Sequence, residues 1–92
     1  MASDASVKNV EQLRQFGSNL RVAGDNLTTL FQRLNMQMHQ VCEGWNDSKN
    51  QAFMADFEEK CRTITQLSDE MQQYSQYIAR TCDILDQYRN AR

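Results

Sequence analysis

Proline is absent from the 92 residues and glycine appears only three times, so the chain has few places to turn and nothing to interrupt a long helix. A sheet protein with many tight turns is excluded on that ground, and strands are not expected. Charge of one sign is also missing: ten basic and twelve acidic residues leave a net charge of -2, with both signs interspersed. Without a broad cationic field there is nothing to neutralise a phosphate backbone, and nucleic acid is not an expected partner. Arg80, Arg89 and Arg92 are too sparse to change this. No run approaches the roughly 18 apolar residues that span a bilayer, so no stable membrane insertion is expected. The start, Met1 to Ser6, lacks the charged and apolar regions of a signal peptide, so export, if it occurs, uses another route. A membrane-lysing hairpin is disfavoured by outer faces of mixed charge.

Cysteine is scarce and odd in number. Cys42, Cys61 and Cys82 lack CxxC spacing, which speaks against a disulfide framework and against a zinc site, and reduced thiols packed beside apolar residues are the simpler reading. Histidine occurs once. His39 and Cys42 share a helix face at a spacing of three, yet a closed zinc site needs four ligands and a catalytic thiol needs a base and an orienting group. No second ligand cluster lies nearby in sequence. Carboxylate pairs such as Glu58 with Glu59, and Asp83 with Asp86, sit in polar helix stretches that read as solvated surface. No glycine-rich phosphate loop is present. No metal, no cofactor and no catalytic centre are expected.

What is present is apolar residues at regular intervals. Leu13, Leu20, Leu27, Leu34 and Val41 recur every seven residues, the pattern of a helix that keeps one seam against a neighbour. A parallel row, Val10, Gly17, Gly24, Phe31 and Met38, together with Phe16, Ala23 and Leu30, widens the seam into a face suited to a bundle. Gly17 and Gly24 cost helix propensity, and their place on this face predicts a close helix approach. In the second half Phe57, Ile64, Met71, Ile78 and Leu85 repeat the spacing, flanked by Leu67, Tyr74 and Tyr88. Glu58, Glu59, Lys60, Arg62 and Asp69 fall on the outer faces. The tyrosines Tyr74, Tyr77 and Tyr88 are read as bundle packing.

Between the halves lies Glu43-Gly44-Trp45-Asn46-Asp47-Ser48. Gly44 can close the first helix in a left-handed conformation, and Asn46, Asp47 or Ser48 can cap the second, with Ser48 and Gln51 at capping-box spacing. Ser3, Asp4 and Ser6 are candidate caps for the first helix. The expected architecture is all-α: a single hairpin domain over 1–92, with helix one over about 6–42, a turn at 43–47 and helix two over about 48–89. So short a turn makes the helices antiparallel. At about 35 to 40 residues each, the helices are on the order of 55 Å long. Their apolar faces are wider than two lone helices can cover, so two hairpins are expected to dimerise into a four-helix bundle. The interface is assigned to Leu13, Leu20, Leu27, Phe31, Leu34 and Met38 from the first helix. Phe53, Phe57, Ile64, Met71, Ile78 and Leu85 supply the second helix's share. Trp45 falls outside the heptads, so it either plugs the end of the bundle, the favoured reading, or faces outward as an anchor for a partner.

The leucine-rich first helix, the turn Gly44-Trp45-Asn46-Asp47, and Phe53 and Phe57 early in the second helix resemble the WXG-motif family, the ESAT-like substrates of type VII secretion. The resemblance covers nearly the whole chain. It implies a hairpin that pairs with itself, or with a sister WXG-type chain, and acts as a secreted factor or as escort for a larger effector. It implies a cytoplasmic protein before export, secreted without a cleaved signal peptide. Recognition by the secretion ATPase would use the tip around Trp45 and a partner's tail. Two departures stand out. Asp47 occupies the place of the family's glycine, exchanging a permissive backbone position for a helix cap. Many exported members also carry a tyrosine followed four residues later by Asp or Glu, whereas Ile78, Thr81 and Arg92 follow Tyr74, Tyr77 and Tyr88 here, so either a partner chain supplies that signal or this member is not exported by that route. The competing reading is an intracellular helical adaptor or chaperone subunit that is not exported.

Overall fold

A computed structural model describes residues 9–90. Helix α1 runs Val10–Val41, helix α2 runs Ser48–Asn90, and the two form an extended antiparallel hairpin. The helices are 32 and 43 residues long. The candidate caps Ser3, Asp4 and Ser6 lie outside the described residues. The observed cap of α1 is Asn9, whose extended backbone (φ -140°, ψ 99°) lets its Oδ1 accept the Gln12 amide at 2.9 Å. That satisfies one of the amide donors a helix start leaves without an intrahelical partner.

At the other end of α1, the Cys42 amide still bonds the Met38 carbonyl, and the Trp45 amide turns back onto the Cys42 carbonyl at 3.0 Å. Gly44 has φ +80°, the left-handed conformation that an L side chain rarely adopts, and no other described residue except glycine could hold it cheaply. The chain then enters α2 through Asp47. Its carboxylate accepts the Lys49 amide at 2.8 Å and its carbonyl accepts that of Gln51, so Asp47 is the cap and Ser48 is already helical. Asp47 has no positive φ, which explains why the turn accepts an acidic residue there.

The seam differs from the most obvious heptad. Its centre is the glycine row of α1, with Val10, Gly17 and Gly24 buried, while Leu13, Leu20 and Leu27 are half-buried beside it. Opposite stand Cys82, Ser75, Ser68 and Cys61. Each donates its side-chain hydrogen to a main-chain carbonyl of α1: Cys82 to Val10, Ser75 to Gly17, Ser68 to Gly24 and Cys61 to Phe31. The two hydroxyl bonds measure 2.7 Å and the two thiol contacts 3.8 Å. Every step of seven along α1 is thus matched by a step of seven back along α2. A Cβ placed on Gly17 would stand 2.8 Å from Ile78 Cγ2, and one on Gly24 would stand 3.2 Å from Ser68 Oγ. The glycines are therefore where the helices come closest, as their placement in the sequence predicts.

Candidate functional site

The close seam has a cost in hydrophobic burial. In the single chain the buried apolar side chains are Val10, Ile78 and Cys82, with Leu13, Leu20 and Leu85 packed against them. Most of the apolar surface lies to one side of the seam instead. Three residues after each seam position come Leu13, Leu20, Leu27 and Leu34 on α1, and Ile64, Met71, Ile78 and Leu85 on α2, with Phe57 one heptad earlier in the same row. One residue before the seam positions come Phe16, Ala23 and Leu30 on α1, and Leu67 and Tyr74 on α2. In an antiparallel pair, equal rotations from the facing positions carry both helices toward the same side, so these rows form one continuous face. The cross-helix aromatic pairs lie along it. Phe16 meets Tyr74 edge-on with centroids 6.1 Å apart, and Phe31 stacks on Phe57 at 6.2 Å.

The inner edge of this face is half-buried and its outer edge is open. Phe16, Leu30, Leu34, Phe53, Leu67 and Tyr74 are all exposed, while Phe57, Ile64 and Met71 are half-buried and Ile78 is buried. Of the assigned interface residues, the structure thus gathers Leu13, Leu20, Leu27, Leu34, Ile64, Met71 and Leu85 on one side, and gives Ile78 wholly to the intrachain core. Phe31 and Met38 sit in the seam row, half-buried. Phe53 lies near the turn and faces solvent.

The opposite side is polar. Arg14 binds both Asp83 at 3.2 Å and Asp86 at 2.8 Å. Gln72 donates to the Arg21 carbonyl at 2.9 Å and to Asp25. His39 Nε2 lies 2.7 Å from Glu58 Oε2, so the histidine paired with Cys42 by sequence spacing is engaged with α2 instead. The hydrogen bond to Asp86 leads in raising the Arg14 pKa above its ordinary value. Burial pushes the Cys82 thiol up. Between Phe31 and Cys61, where the seam widens again, a groove of about 410 Å³ opens on this side, and the Asn35 Oδ1 beneath the surface there has no hydrogen-bond partner. Among the described residues no group of three or more histidines, cysteines or carboxylates is placed to hold a metal ion. No described helix is long and apolar enough to cross a membrane.

At the tip, the Trp45 indole is 54% exposed in the single hairpin. Val41 and Phe53, also exposed, flank the same end.

Residues 8–87 match the family described as WXG100, proteins of 100 residues with WXG. The chain belongs to the WXG100 family. No curated protein and no solved structure gives a significant match. The WXG100 family comprises small, non-enzymatic, ESAT-like helical proteins associated with type VII secretion. In this WXG100 chain the motif reads Trp45-Asn46-Asp47, and the Asp47 carboxylate does at the start of α2 what a family glycine cannot.

The sequence-level reading missed Cys61, Ser68, Ser75 and Cys82 as a functional row. Their common spacing of seven was legible, but two of the four are polar and were not counted as seam positions.

Proposed function

We propose that this WXG100 protein works by pairing its apolar face with that of a second hairpin, its own copy or a sister chain, as an exported factor or escort of a type VII secretion system. The observation that carries this reading is the single open face bordered by Phe16, Leu30, Leu34, Leu67 and Tyr74. Fully burying a side chain of this size contributes about 1.5–3 kcal/mol, so the remaining half is worth on the order of 1 kcal/mol each. Covering these five residues on each hairpin supplies several kcal/mol toward association. A polar reverse face, already occupied by cross-helix ion pairs and hydrogen bonds, offers no comparable gain.

Light scattering coupled to size exclusion tests the pairing. The native chain elutes as a dimer, or as a one-to-one complex with a sister chain, and Leu30→Asp elutes as a folded monomer. A monomeric native chain at high concentration, with no sister chain co-purifying, rules the pairing out. The tip then has a separate role: Trp45, exposed beside Val41 and Phe53, is the recognition residue for the secretion ATPase. Trp45→Ala retains dimer mass and helix content but abolishes export. Unchanged export sinks this assignment, and a protein found only in lysate during active secretion favours a resident adaptor.

A further inference from the structure

We draw no further inference here: the strongest candidate, the groove between Phe31 and Cys61 on the polar side of the seam, carries nothing, because the unpartnered Asn35 Oδ1 in its lining is sealed from solvent and so reaches no occupant, and nothing in the structure shows what fills it.

Discussion

Ser75 donates its hydroxyl to the Gly17 carbonyl at 2.7 Å, directly beside the point where a Cβ on Gly17 would strike Ile78. The hydrogen bond and the missing side chain depend on each other, because the hydroxyl reaches a main-chain carbonyl only when the helices lie this close. Gly17→Ala gains up to about 1 kcal/mol of helix propensity. It also forces a contact of 2.8 Å with a β-branched side chain that has little rotamer freedom. Overpacking of this kind costs about 1–3 kcal/mol, so Gly17→Ala is expected to lower the urea midpoint. Gly24→Ala meets first the flexible tip of Gln72 at 2.9 Å and costs less. Urea titration of both variants checks the order, and a more damaging Gly24→Ala contradicts it.

The helix caps give a second expectation. Asn9→Ala and Asp47→Ala each remove one acceptor from a helix start, at about 1 kcal/mol apiece. The two sites stand at opposite ends of the hairpin, so the double variant should show the sum of the single losses within a few tenths of a kcal/mol. Thermal melts followed by circular dichroism measure both effects.

Much of this was legible in advance and the remainder was not, for identifiable reasons. Heptads of leucine and of aromatic and aliphatic residues announce two helices, and Gly44 with Asp47 announces the turn. The row at the centre of the seam is harder to see, because glycine and serine carry no hydrophobic signal and owe their place to backbone approach. The exposure of Trp45 in the single hairpin is equally hidden, since the residue falls outside the heptads. Asn9 suits the cap role, but Ser3, Asp4 and Ser6 carry equivalent capping side chains upstream, and the sequence alone does not choose among them.

Cys82 gives a pH dependence of known sign. Burial raises its thiol pKa above the ordinary 9.0, so between those two values the folded chain holds a proton that the unfolded chain releases. Stability from this group is complete below pH 9.0 and declines as pH rises toward the folded value. In Cys82→Ala the decline above that pH flattens by one proton's worth of slope. Denaturant titrations between neutral and alkaline pH measure it, and parallel curves for the two proteins contradict the assignment.

The ion pairs of the polar face should matter little. His39 and Glu58 are both partly exposed, and pairs of this kind contribute up to about 1 kcal/mol. A double-mutant cycle with His39→Gln and Glu58→Gln is expected to give a coupling energy below that figure, shrinking further in high salt. A larger value would mean that the tip end of the hairpin is held by charge.

The heptad ladder also fixes the distances among the three thiols. Cys61 and Cys82 lie three heptads apart on one helix, on the order of 30 Å, and Cys42 sits near the turn several helical turns from either. A disulfide tolerates no more than about 7 Å between Cα atoms, so no two cysteines of one folded hairpin can bridge. Passage from a reducing to an oxidising compartment therefore offers the folded chain no internal crosslink. The folded hairpin keeps one covalent form under either redox condition.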